Sequence, residues 1–304
     1  MDQILVGSSL SRTSSSFVAK LFSGHNFANG VKGMAGLGRG KIGLSSQFAS
    51  AFGFRKTFAL CLPSSTRSNG AVFFGAVPYI FLPGIDASKS LFYTPLLLNP
   101  VTTYAAYVAG EPSNEYFINV TSIKMNGITI DLNTSLLVFD KDGYGGTKIS
   151  TVHPYTVLEN TIYNAVIRAY LKILQAQIPK EFPAHVPRVA AVEPFGACFN
   201  STHIRKTRVG PVVPNVDFVL QSESVYWRVL ATNSMVQVSK DVLCLGFVDA
   251  GLRPSNPRTA IVIGGHQLEE NFLPFDLAAS RLGFSSLLSS GQTTCANFNF
   301  TSNA

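Results

Sequence analysis

The sequence predicts a mainly β protein with two or three helices. Three observations lead there. Gly, Pro and Phe number 25, 16 and 23 in 304 residues, which supplies turn formers and bulky strand residues. Short apolar runs recur along the chain, and Asn-Gly stands beside two of them. One stretch repeats its apolar residues at the helical period over several turns.

Taken in order, residues 1–26 are rich in Ser and lack periodicity, and they read as a tail or loop, a non-homologous or disordered leader. Gly33–Gly40 is glycine-rich and resembles a phosphate cradle. A P-loop needs Ser or Thr after Gly-Lys, however, and Gly40-Lys41 is followed by Ile42. A dinucleotide fold needs a preceding strand, which is absent, so close backbone packing is the better reading. Leu44–Phe52 reads as a helix with Ser45 or Ser46 as cap, and Phe48 and Phe52 on one face. Thr57–Leu62 and Ala71–Gly75 read as strands around an Asn69-Gly70 turn. Residues 71–85 carry no charge, but Pro78 and Pro83 make them a strand and turn rather than a membrane span.

Further strands are expected at Phe92–Leu98, Tyr116–Val120, Ser122–Met125 and Ile128–Leu132, with Asn126-Gly127 turning the last pair. The clearest helix is Leu158–Gln177. Val166, Tyr170 and Leu174 form its apolar stripe, and Arg168 and Lys172 face solvent. Strands follow at Val216–Gln221, Val225–Leu230, Met235–Val238, Leu243–Val248 and Ala260–Gly264. A closing hairpin is expected from Leu273–Asp276 and Arg281–Phe284.

Charged residues make up 13% and hydrophobic ones 46%, which excludes a disordered chain. The formal charge is +7, and the densest basic cluster is His203–Arg208. No nucleic-acid motif accompanies that charge, so nucleic acid is not an expected partner. The cysteines Cys61, Cys198, Cys244 and Cys295 are widely spaced. They form no zinc or redox pair and allow three disulfide pairings. Asn119, Asn133, Asn200 and Asn299 each head a glycosylation sequon, which points to the secretory route. The first residues show no signal peptide, because Asp2 is acidic and the apolar run is short. The five histidines lack metal-ligand spacing, and neither a metal nor a cofactor is expected. Trp227 reads as packing and His266 as a structural turn residue.

Several segments together resemble the pepsin-like aspartic proteinase fold. They are Gly33–Arg39 (GMAGLGR) with Leu44–Phe48, Gly146-Thr147 before a helix, Ile261–Gly265 (IVIGG), Phe275-Asp276 and Arg281–Phe284. Gly145–Val152 (GGTKISTV), Pro154–Glu159 (PYTVLE) and Thr293–Thr301 (TTCANFNFT) are similar to a plant subfamily. That subfamily comprises extracellular dermal glycoproteins, basic 7S globulins and inhibitors of microbial xylanases and xyloglucanases. The resemblance runs from about residue 27 to the end. It implies a bilobal fold with a partial N-terminal lobe over residues 27–103 and a complete C-terminal lobe over 104–304.

The resemblance also has functional implications. A pepsin-type site needs two carboxylates sharing a proton, each in an Asp-Thr/Ser-Gly turn. Neither Asp-Thr-Gly nor Asp-Ser-Gly occurs in this sequence. Tyr144 aligns with the second-lobe aspartate, and nearby Asp140 and Asp142 read as loop residues. The implied protein is a secreted pseudoenzyme that binds microbial glycoside hydrolases in the apoplast or cell wall. Arg208 and Gln292 fall on its two inhibitory loops. An aspartic endopeptidase, or a globulin-like storage or receptor protein, is the alternative. The family pattern further implies Cys198 joined to Cys244 and Cys61 joined to Cys295.

Overall fold

The computed structural model describes residues 35–76, 79–82, 85–102, 111–176, 186–207, 210–252, 258–286 and 293–298. A ten-stranded sheet forms its spine. In sheet order the strands are Ala71–Phe74, Thr57–Cys61, Asn271–Asp276, Arg281–Ser286, Phe92–Leu97, Tyr116–Ile118, Thr147–Ile149, Ile261–Ile263, Thr156–Leu158 and Phe247–Asp249. The early strand Thr57–Cys61 runs antiparallel to the late strand Asn271–Asp276, with Phe58 opposite Phe275. Early and late parts of the chain therefore share one sheet.

Thr57–Cys61 is buried along its whole length. A strand covered on both faces reads as a continuous apolar run. Phe58 and Leu60 enter the main core, and Ala59 and Cys61 enter a second cluster with Phe73, Tyr79, Phe81, Phe272 and Cys295. Helix Leu44–Phe52 leans on the sheet edge through Phe48, whose ring lies 4.8 Å from that of Phe74. The helix ends at Gly53, which takes a left-handed φ of 70°.

The long helix spans Asn160–Ala176 and buries Ile162, Val166, Tyr170 and Leu174, while Arg168 and Lys172 are exposed. Each large apolar side chain so buried contributes about 1.5–3 kcal/mol. Glu159 caps its start, with its carboxylate accepting from the Thr161 amide at 2.8 Å and the Thr161 hydroxyl at 2.5 Å. Two four-stranded sheets complete the fold. One holds Arg188–Val189, Cys198–Asn200, Val242–Leu245 and Met235–Ser239, and the other Val225–Val229, Val216–Ser222, Ser122–Met125 and Ile128–Thr129. Short hairpins pair Ile80–Leu82 with Ile85–Asp86 and Lys206–Thr207 with Gly210–Pro211.

Two disulfides close the frame. Cys61–Cys295 spans 234 residues of sequence, and Cys198–Cys244 joins residues directly opposed on neighbouring strands. No described helix is long and apolar enough to cross a membrane.

Four local expectations need correction. Neither Ser45 nor Ser46 caps the helix Leu44–Phe52, whose N-cap is Gly43 with no side-chain bond. Asn69-Gly70 is not a two-residue turn, because strand pairing stops at Cys61 and resumes at Ala71, leaving a longer loop between them. The helix expected from Leu158 begins at Asn160. The preceding residues pair with both Phe247–Asp249 and Ile261–Ile263 and so are held extended. Leu243–Val248 breaks at Gly246, whose amide donates to the Ser234 carbonyl at 2.7 Å instead of continuing the strand.

Candidate functional site

The turn at Asp140–Thr147 leads into the centre of the long sheet. Asp140 organises it. Its Oδ1 accepts from the amides of Asp142 and Tyr144, each at 2.9 Å, and its own amide donates to the Tyr144 carbonyl at 2.8 Å. Buried Asn99 donates to the Gly143 carbonyl at 2.8 Å from the other side. Asp140 is thus a turn-forming residue, as Asx geometry requires. Tyr144 is only 6% exposed.

Gly145 and Gly146 have φ of 102° and 69°. A Cβ on Gly145 would lie 2.3 Å from the Val138 carbonyl oxygen, and one on Gly146 would lie 2.5 Å from the Phe139 ring. Both positions therefore demand glycine. The Gly146 carbonyl accepts from the Ile261 amide at 3.1 Å, which starts the parallel pairing of Thr147–Ile149 with Ile261–Ile263. Ile261–Ile263 lies between Thr147–Ile149 and Thr156–Leu158, two strands adjacent in sequence that do not pair with each other.

The charged groups around this strand are engaged with one another. Lys148 is buried and meets Glu115 at 2.7 Å. His153 Nδ1 lies 3.0 Å from the Ser150 hydroxyl. Burial first, and the Lys148 charge second, hold its pKa below the ordinary imidazole value.

Below Gly264, Gln267 spends all of its hydrogen-bonding capacity. Its Oε1 accepts from the Thr156 amide and hydroxyl, both at 2.8 Å. Its Nε2 donates to the carbonyls of Asn233 at 2.8 Å and Gly246 at 3.0 Å. Glu270, at φ 55°, accepts from the Ser64 amide and hydroxyl and from the Cys295 amide at 2.7 Å. It thereby seats the segment after Cys61 and the segment at Cys295 against the sheet. His266 contacts Glu269 Oε2 through Nδ1 at 3.1 Å and the Met235 carbonyl through Nε2 at 3.0 Å. It lines a cleft of about 420 Å³ with Tyr155, Pro63 and Leu62. Trp227 is buried and stacked 5.4 Å from Phe284, so it packs and offers no sugar platform.

The expected binding residues Arg208 and Gln292 lie outside the described residues, as does Asn299. Asn133 and Asn200 are described. Each accepts from the amide and hydroxyl two residues on, Ser135 and Thr202. Asn119 is partly buried. Among the described residues, no group of His, Cys, Asp and Glu could hold a metal ion. Sequence reasoning missed Gln267, Glu270 and the Lys148–Glu115 pair. Their neighbours in sequence are themselves largely polar, so no local signal marked them for burial.

Two family models match this chain. The xylanase-inhibitor C-terminal model covers residues 115–286, and the xylanase-inhibitor N-terminal model covers residues 3–76. The chain belongs to the xylanase-inhibitor family. It is 56% identical over 276 residues to probable aspartic proteinase GIP2 of Nicotiana benthamiana, covering 90% of this chain and 60% of that one. It is 45% identical over 271 residues to gamma conglutin 1 of Prunus dulcis, covering 89% of this chain and 56% of that one. Among solved structures it resembles EDGP with a TM-score of 0.84 at 57% identity, covering 91% of this chain and 65% of that one. It resembles basic 7S globulin from soybean with a TM-score of 0.70 at 35% identity, covering 92% and 64%. The fold of this xylanase-inhibitor family member is therefore the pepsin-like one, and the chain spans about 60% of the length of its curated relatives.

Proposed function

We propose that this family member is a catalytically silent binding protein, secreted and directed at microbial glycoside hydrolases. One observation carries the reading: Tyr144 stands in the second-lobe turn where the resemblance places an aspartate, with the glycines of that turn retained. A phenol titrates near ~10 and does not supply the ionised member of a carboxylate dyad. The family models carry the name of xylanase inhibitors, which supports a glycoside hydrolase as partner. Arg208 and Gln292 are the proposed contacts, since a guanidinium makes bidentate, charge-assisted bonds to a catalytic carboxylate. The division at residues 26 and 103, an extracellular location, and glycans on Asn119, Asn133, Asn200 and Asn299 belong to the same proposal.

Two assays test it, run on the purified chain. The first measures acid proteolysis of a denatured protein, and no turnover is expected. The second measures inhibition of a panel of microbial xylanases and xyloglucanases. There Arg208→Ala should weaken inhibition by the ~2–5 kcal/mol typical of truncating a desolvated charge pair. Pepstatin-sensitive proteolysis would overturn the pseudoenzyme reading. An Arg208→Ala protein that inhibits as well as its parent would remove Arg208 from the contact.

A further inference from the structure

From Cys198 to Val216 the sequence contains no carboxylate, yet it contains His203, Arg205 and Lys206. The structure presents these cations on the 3-10 turn Ser201–His203 and the short ribbon that follows it. Ile204 and Val213 are buried and anchor it, while His203, Arg205 and Lys206 are exposed. Lys206 pairs with Pro211 and Thr207 with Gly210. The Val212 amide donates to the Arg205 carbonyl at 2.8 Å, and the Thr207 hydroxyl donates to the Gly210 carbonyl at 2.8 Å. The backbone under the charges is therefore fixed. The neighbouring turn adds Lys240, since the Ser201 hydroxyl donates to the Lys240 carbonyl at 3.3 Å and the Ser201 amide to the Asp241 carbonyl at 2.9 Å. Asp241 is the one acid that turn brings to the patch. None of His203, Arg205, Lys206 and Lys240 forms an ion pair among the described residues.

We propose that this ribbon is a binding surface for an acidic polysaccharide, a polymer of uronate carboxylates. Four unpaired cations against the single acid Asp241 concentrate a polyanion through their summed field, and each contact releases counterions. The chemistry of the ribbon favours this polymer over other polyanions. Apart from the imidazole of His203, its described residues expose no aromatic ring on which a base could stack, unlike the aromatic platforms that take single-stranded nucleic acid. Val212 is its one exposed large apolar side chain, which is too little to insert into a bilayer. The inference stands apart from hydrolase inhibition, and Arg208 remains intact throughout its test.

The test measures binding of the full chain to immobilised polygalacturonate as salt is raised, with fully methyl-esterified pectin as the uncharged comparison. The parent should bind polygalacturonate, release with salt and ignore the esterified polymer. The double variant Arg205→Ser/Lys206→Ser should bind about tenfold more weakly at low salt and release at lower salt. Arg168→Ser/Lys172→Ser removes the same charge from the exposed face of the long helix and should behave like the parent. Equal losses in the two double variants would overturn the proposal, because net charge alone would then explain binding. Unchanged binding by Arg205→Ser/Lys206→Ser, or equal binding to the esterified polymer, would also overturn it. Tighter binding to duplex DNA or to anionic phosphatidylserine vesicles than to polygalacturonate would overturn the choice of polymer. Thermal unfolding checks each variant, and Lys206→Gln alone carries the test if the double variant does not fold.

Discussion

Replacing Gln267 by Leu tests the claim that one buried amide locks Thr156–Leu158, the strand next to one edge of the long sheet, to its surroundings. Gln267 is 1% exposed and makes four hydrogen bonds. Leucine fills a similar volume, so cavity formation is minor. What remains is two donors on Thr156 and two carbonyls stripped of a partner. Leaving a buried group unsatisfied costs about 1–3 kcal/mol, less for a carbonyl that keeps another partner. The sum is about 4 kcal/mol, which in a chain of this size lowers the melting midpoint by roughly 8–15 °C. Differential scanning calorimetry reads it. Gln267→Glu sharpens the test, because it turns the donor end into an oxygen facing the carbonyls of Asn233 and Gly246. Burial against acceptors raises the folded pKa of that glutamate above its unfolded value near ~4.3. Its stability is then fully present below the unfolded pKa and is lost as pH rises through the folded one. The variant should thus approach the parent in acid and fall away toward neutrality. A shift under about 2 °C for Gln267→Leu, or a Gln267→Glu deficit independent of pH, would refute the reasoning.

Peptide mapping without reduction should recover Cys61 linked to Cys295 and Cys198 linked to Cys244, and a Cys61–Cys198 peptide would contradict the frame. Removing the second bridge should cost about 4 kcal/mol by loop entropy, measured in urea. Gly146→Ala should destabilise or prevent folding, because the new methyl meets the Phe139 ring; soluble protein with an unchanged midpoint would argue against the turn described. His153 has a lowered folded pKa, so its contribution is present above the unfolded value near ~6.5 and fades as pH falls through the folded one. His153→Gln should flatten that part of the stability profile, and a profile identical to the parent's would show that His153 does not titrate there. Tyr144→Asp should leave the chain without proteinase activity, since a single restored carboxylate makes no dyad; peptide hydrolysis by that variant would refute this.

Much of the fold was legible because its signals are local. Asn126-Gly127 turns Ser122–Met125 into Ile128–Thr129 with both φ values positive, as a two-residue hairpin turn requires. The stripe Val166, Tyr170 and Leu174 buries as its period predicts. Asn69-Gly70 carried the same signal and misled, because what ends Thr57–Cys61 is not a turn. Leu62 bridges to Glu269, a partner more than two hundred residues away in sequence. Thr156–Leu158 likewise depends on strands far along the chain. At the candidate site, Tyr144 and its glycines could be read from the family resemblance. Gln267 and Glu270 could not, because in the polar run His266–Asn271 nothing marks which side chains will be buried and which will meet water.

The bridge between Cys61 and Cys295 makes the chain a closed ring for most of its length. A protease that cuts one peptide bond anywhere inside that ring produces no separate piece. The nicked protein keeps its mass apart from one water, its early and late strands stay paired in one sheet, and a non-reducing gel shows a single band. A reducing gel of the same sample shows two. Gel mobility under oxidising conditions therefore says nothing about whether this molecule is intact, and two polypeptides after reduction need not mean two genes.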